Sequence, residues 1–232
     1  MRPLIDIDDA TTWPPHIYRI VSTWAAEFAG KTSYTNDLPL RIELEARFRD
    51  QLAGYRLRAY HYTRLLPHER AMIFDQGLRM LSADLLEQRI DAAQAVGVIS
   101  TAEAECFHKG HVFATGEQEH REGQVCLVLS ELRYERDPGA CLPLLKSWGG
   151  EGLYCSSRSV PFRARLESLG SPTRVTAQID FADRKHAVYP SLHKVFVGSL
   201  LRLHDVGADV FYRASIPPEH VQRIDEVLLL TP

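Results

Sequence analysis

From Pro14 to Phe28 the apolar residues Ile17, Val21, Trp24 and Phe28 recur at three- and four-residue spacing, and Gly30 follows. That pattern predicts an amphipathic helix closed by a glycine. Leu40, Leu44, Phe48 and Leu52 repeat it between Pro39 and Gly54. Residues 1–54 are therefore expected as a helical segment packed on the main domain, residues 55–232. At Tyr55 the period drops to two. Tyr55, Leu57, Ala59 and His61 alternate with Arg56, Arg58, Tyr60 and Tyr62, which predicts a strand with His61 on its more apolar face, at its C-terminal tip. Pro67 then opens a short helix that Gly77 closes, residues 84–95 predict another, and Ser100-Thr101-Ala102-Glu103 carries the spacing of a capping box.

Further on, Gly110-His111-Val112-Phe113-Ala114 reads as a short strand, and the apolar run from Gln124 to Ser130 as a central one. Val175, Ala177 and Ile179 alternate in a further strand. Leu192, Val195, Phe196, Ser199, Leu200 and Leu203 have helical spacing, ended near Gly207. A last strand, Asp209 to Arg213, runs into Ser215-Ile216-Pro217-Pro218-Glu219-His220. Strands and helices do not alternate regularly along this order, so the expected class is α+β and not a doubly wound parallel sheet.

Composition adds bounds. The chain has 232 residues, 45% hydrophobic and 25% charged, with net charge -3, which fits a soluble globular protein. A dedicated nucleic-acid binder would carry a basic excess, although a local basic groove is compatible with these totals. Cys106, Cys126, Cys141 and Cys155 form no C-x-x-C pair, so neither a zinc ribbon nor a redox dithiol is indicated. Cys126 and Cys155 read as small core residues. The first residues are acidic where a signal peptide would be apolar, and no apolar run nears the ~18 residues of a membrane span. A reducing, bacterial-type cytoplasm is the expected location, with no membrane.

The usual catalytic signatures are missing: no G-x-S-x-G, Walker loop, H-E-x-x-H or G-x-G-x-x-G. His61 is either a working residue or a hydrogen-bonded core histidine. In Trp148-Gly149-Gly150-Glu151-Gly152-Leu153-Tyr154 the paired glycines either hold Glu151 beside a cleft or make a strand-to-strand turn with Trp148 in the core. Cys106, His108, His111 and His120 lack the spacing of one ligand set, so no metal is expected. Glu117, Glu119 and Glu122 read as a solvated loop that could lie over a cleft. Arg56, Arg58 and Arg64 could face phosphates or solvent. Arg158, Arg163 and Arg165, around Pro161, could receive an acidic substrate or sit in an ordinary loop.

The succession of a strand ending in His61-Tyr62-Thr63, a helix, Gly77-Leu78, Gly110-His111-Val112-Phe113-Ala114 and a late strand before Ile216-Pro217-Pro218-Glu219 resembles the ADP-ribosyltransferase superfamily. The likeness is to the branch of the poly(ADP-ribose) polymerases and the DNA-modifying bacterial toxins, and it spans roughly residues 55–225. The chain is also similar to uncharacterised bacterial proteins that share H-x-T-R-L and a WGGE-(A/G)-LY run, a likeness that implies no activity. The superfamily resemblance implies a split mixed or antiparallel sheet with peripheral helices, and NAD as a substrate. It implies His61 on the nicotinamide-side ribose, Thr63 and Arg64 near the adenosine half or its phosphates, Tyr62 among the NAD-binding residues, and Gly110 to Ala114 as the nicotinamide wall. Phe113, Tyr154 or a residue elsewhere would supply the stacking ring that Val112 lacks. The late carboxylate maps to Asp209, where the family normally has Glu, and Glu151 is the alternative. The implied reaction moves ADP-ribose to a macromolecular acceptor, protein or nucleic acid, or to water. Many relatives are toxins, effectors or defence proteins, so an antitoxin or immunity partner is implied too. The competing expectations are an inactive nucleotide- or protein-binding module of the same fold, and an unrelated hydrolase built on Glu151 and a histidine.

Overall fold

Caps and prolines set most helix boundaries of this protein, whose computed structural model describes residues 2–27, 42–116, 122–132, 143–154, 161–203 and 208–228. Helix α1 is Pro15–Glu27 and α2 is Ile42–Gln51, each on its expected apolar spacing. Helix α3, Pro67–Gln76, starts on its proline, and the Gly77 N–H closes it on Ile73 O. Helix α4, Ala83–Ala95, is capped by the Ser82 hydroxyl, which accepts from Leu85 N–H. Helix α5, Thr101–Gly110, has the full Ser100–Glu103 capping box. Phe28, Gly30, Leu40, Glu117, Glu119, His120, Cys141, Cys155, Arg158 and Gly207 lie outside the described residues.

The strands are β1 Leu4–Ile5, β2 Arg56–Leu65, β3 Val125–Val128, β4 Ser171–Ile179, β5 Ala187–Tyr189, β6 Asp209–Tyr212 and β7 Val221–Glu226. They form one open sheet in the order β5-β6-β3-β2-β4-β7, with β1 beside β2. β1 runs parallel to β2, whereas β2–β3 and β5–β6 are antiparallel. The class is thus mixed α and β, with β3 central as expected. β1, β5 and β7 carried no period-two signal, because they are short or largely polar.

Two expectations are corrected. The strand expected at Gly110–Ala114 is helical: Gly110 ends α5, and Val112–Thr115 forms the single turn α6. His111 caps that turn, its Nδ1 accepting from Ala114 N–H at 3.2 Å. A short apolar run has no period of its own to separate strand from helix. Nor is His61 at a strand tip. β2 continues four residues further, and Tyr62, Thr63, Arg64 and Leu65 are all buried, so the strand is covered on both faces beyond the position expected as its end.

The chain builds two compact units. Residues 1–60, 126–137 and 176–212 form the first; residues 61–125, 138–175 and 213–232 form the second. Residues 1–54 therefore share their unit with segments from far along the chain. The core of the first unit is aromatic: Phe48 meets Trp24 at 5.3 Å and Phe196 at 5.0 Å between ring centroids, and Trp13 meets Phe196 at 4.9 Å. Phe196 lies on the helix Leu192–Leu200. Its N-terminal Leu192 and His193 N–H groups donate to Glu45 of α2 at 3.0 and 3.1 Å, and the His193 ring lies 2.8 Å from the same carboxylate. The second unit buries Leu66, Ile90, Phe107, Trp148, Leu153 and Leu166 together. Among the described residues no helix is long and apolar enough to cross a membrane.

Burial pushes the Glu45 carboxyl up, but the His193 ring and the two helix N–H groups outweigh it and hold the group below its ordinary value of 4.5. A depressed carboxyl contributes stability above its unfolded value and loses it as pH falls through the folded one. The urea midpoint is accordingly expected to drop when the pH is lowered from 7 to below about 4.5, and Glu45→Gln is expected to lower the midpoint at pH 7 and to flatten that drop. Parallel urea titrations at the two pH values measure it.

Candidate functional site

One groove gathers the residues with chemical potential in the second unit. Along β2 the alternation that begins at Leu57 continues through His61, Thr63 and Leu65, and these last three line it. Helix α3 adds His68, Glu69, Met72 and Ile73; the following link adds Gly77, Leu78 and Arg79; and α4 adds Leu85, Arg89 and Ala92. Its free space is about 100 Å³. That is less than the dry cavity of about 150 Å³ that takes a benzene ring, although this groove is open to solvent on one side.

Beneath the groove lies a carboxylate that is only 4% exposed. Glu69 accepts from Leu66 N–H at 2.7 Å, from the Trp148 indole N–H at 2.9 Å and from Arg89 Nε at 2.5 Å. Burial raises its pKa, yet the Arg89 charge and the donors from Leu66 and Trp148 prevail and hold the carboxyl below its ordinary value. Arg89 in turn lies 5.4 Å over the Trp148 ring and donates to Arg64 O. The groove's buried acid and one of its two arginines thus neutralise each other. Arg79 is braced by Gln88 at 2.5 Å and Asp84 at 2.9 Å on α4. The buried Nε2 of His68 has no hydrogen-bond partner among the described residues. A heteroaromatic ring with a polar edge suits this lining of aliphatic wall, two imidazoles, a threonine and arginines.

The structure gathers some of the expected site residues and not others. His61 and Thr63 share the groove. Tyr62 and Arg64 are buried and are not among its lining residues. The Arg64 guanidinium donates to Leu169 O at 2.9 Å, Gly170 O at 2.8 Å and Leu145 O at 3.3 Å, so it is engaged by backbone carbonyls and not turned toward a phosphate. Gly110 is buried at the end of α5, and Phe113 lies on α6 against the His111 ring, 6.3 Å between centroids. Glu151 and Tyr154 are the first and last residues of the short helix α7, Glu151–Tyr154, and Glu151 is not among the residues that line the groove. That helix follows a turn of residues 148–150, not a strand, and Trp148 is fully buried. Asp209 opens β6 in the first unit, in register with Tyr189 of β5. Arg58 and Arg165 are tied to Asp6 and Glu103. His108 pairs with Asp91 at 2.8 Å.

The sequence reading missed His68, Glu69, Arg79 and Arg89. Glu69 carried one usable signal: at the third helical position after Leu66 it can reach back to the N-cap N–H. Comparison with protein family models, with curated proteins and with solved structures finds no match to this chain.

Removing the Glu69 carboxylate leaves the partly buried Arg89 guanidinium and the buried Trp148 indole N–H without their acceptor. Glu69→Ala is expected to cost about 3–5 kcal/mol of unfolding free energy. The paired change Glu69→Leu with Arg89→Met is expected to cost clearly less than the single one. Denaturant titration of the three proteins is the measurement.

Proposed function

We propose that this chain is an ADP-ribosyltransferase-like protein that takes NAD at the groove of β2, α3 and α4. It transfers ADP-ribose to a macromolecular acceptor, protein or nucleic acid, or to water. The observation that carries the reading is the shared placement of His61 and Thr63, two residues apart on β2, in the groove that Arg79 also lines. In this reading His61 holds the nicotinamide-side ribose. Thr63 stands near the adenosine half, and Arg79 near the phosphates. Nicotinamide leaves as the glycosidic bond loosens toward an oxocarbenium ion, and a carboxylate offsets the developing charge. Asp209 and Glu151 are the two carboxylates the reading offers for that task. A bacterial toxin, effector or defence role in the cytoplasm, with an antitoxin or immunity partner, belongs to the same reading.

A second reading is favoured by one observation. Gly110–Ala114, the expected nicotinamide wall, is helical, which suits an inactive module that binds a nucleotide or a protein without cleaving NAD.

Incubating the purified protein with NAD and measuring free nicotinamide separates the two. Release is expected, and His61→Ala is expected to lower it about 10²-fold with the fold intact by circular dichroism. Asp209→Ala and Glu151→Ala then show which carboxylate carries the charge. NAD binding by calorimetry without nicotinamide release supports the inactive module. A well-folded His61→Ala protein that binds and turns over NAD like the wild type refutes the reading.

A further inference from the structure

The groove wall formed by Gly77, Leu78 and Arg79 belongs to no helix or strand. It is a link between α3 and α4, and a segment from near the C-terminus fastens it. Leu78 and Ile216 make a two-way backbone bridge: Leu78 N–H donates to Ile216 O at 2.9 Å, and Ile216 N–H to Leu78 O at 2.8 Å. Met80 N–H reaches the Ser215 hydroxyl at 3.4 Å. At the far end of the link Leu81 N–H donates to Gln124 O at 3.0 Å, and Gly123 N–H to Leu81 O at 2.9 Å. Pro217 and Pro218 follow Ile216 and have no N–H to offer elsewhere, and their rings restrict the backbone that carries the bridge.

This bridge requires a glycine at position 77. Gly77 has φ +80° and ψ -170°, a region essentially restricted to glycine. A Cβ there would lie 1.9 Å from Ile216 O and 2.9 Å from the Pro217 carbonyl carbon. Both neighbours are backbone, so no rotamer change relieves the clash. Any side chain must part the link from the 215–217 segment.

We propose that Gly77 and the backbone of Ile216 are positioning residues for the ligand of the groove: together they hold Leu78 and Arg79 at the distance from α3 and β2 that the ligand needs. The identity of that ligand as NAD rests on the proposed function. The fastening itself does not. Arg79 is steered from two sides, by the Leu78–Ile216 bridge next to it in the chain and by Asp84 and Gln88 on α4.

The test compares Gly77→Ala with Gly97→Ala. Gly97 also has positive φ, +74°, but a Cβ there meets nothing within 4 Å. It therefore controls for backbone strain without close approach. Gly77→Ala is expected to keep its helix content and to exchange the Leu78 and Ile216 amides at least about tenfold faster, as local opening allows. It is also expected to raise KM for NAD about tenfold or more with kcat little changed, the signature of lost positioning in binding. Gly97→Ala is expected to match the wild type in both. Unchanged exchange in Gly77→Ala overturns the proposal, as does faster exchange with an unchanged KM, or an equal effect of Gly97→Ala. If the wild type releases no nicotinamide and binds no NAD, the NAD reading falls on its own. Exchange at Leu78, Arg79 and Ile216 in the two variants then decides whether Gly77 fastens the wall.

Discussion

The second unit turns on one buried charge. Glu69 joins the N-terminus of its own helix to an indole and a guanidinium from two remote parts of the chain. An ionised carboxylate withdrawn from water without partners would cost several kcal/mol. Here three donors satisfy it, so the arrangement of α3, α4 and the Trp148 turn that supplies all three is favoured. Arg64 plays the matching part at the end of β2, binding carbonyls at positions 145, 169 and 170. Such groups contribute less to net stability than to uniqueness, because an arrangement that breaks one of these bonds strands a buried polar group.

This hub explains why the groove has its shape. Glu69 and Arg89 lie in the groove lining, yet they are held by each other and by Trp148, so their geometry is settled before a ligand arrives. His61 and Thr63 line the same groove from β2, and Arg79 lines it from a link that is fastened at both ends. Preorganisation of that kind lowers the ordering cost of binding. In the first unit Glu45 does a similar job between α2 and the helix Leu192–Leu200, and there it joins two elements through a helix N-terminus.

Legibility followed the range of the interaction. The Ser100–Glu103 box, the Ser82 cap, Pro67 and Gly77 act within a few residues, and the helices they bound were readable. Period-two alternation put His61 and Thr63 on one face of β2, and both line the groove. Where the signal was not local, the reading failed. Val112-Phe113-Ala114 was too short to show a period, and the His111 ring that caps it is an uncommon cap. β7 is polar because it is an edge strand, so it lacked the apolar alternation of an interior one. Arg64, read as a possible phosphate ligand, is consumed by carbonyls about eighty to one hundred residues away.

By itself the sequence determined helices α1 to α5, the helix Leu192–Leu200, the interior strands, the mixed α and β class and the strand face that carries His61, because caps, prolines and side-chain periods act over a few bonds. Only the tertiary structure decided that Glu69 and Arg89 would neutralise one another, that Arg64 would serve the backbone, and that the Ile216 backbone would lie against Gly77. Each depends on which remote groups share a desolvated space. A buried polar atom must take the partner that packing brings within about 3 Å, and no pattern along the chain records which partner that is.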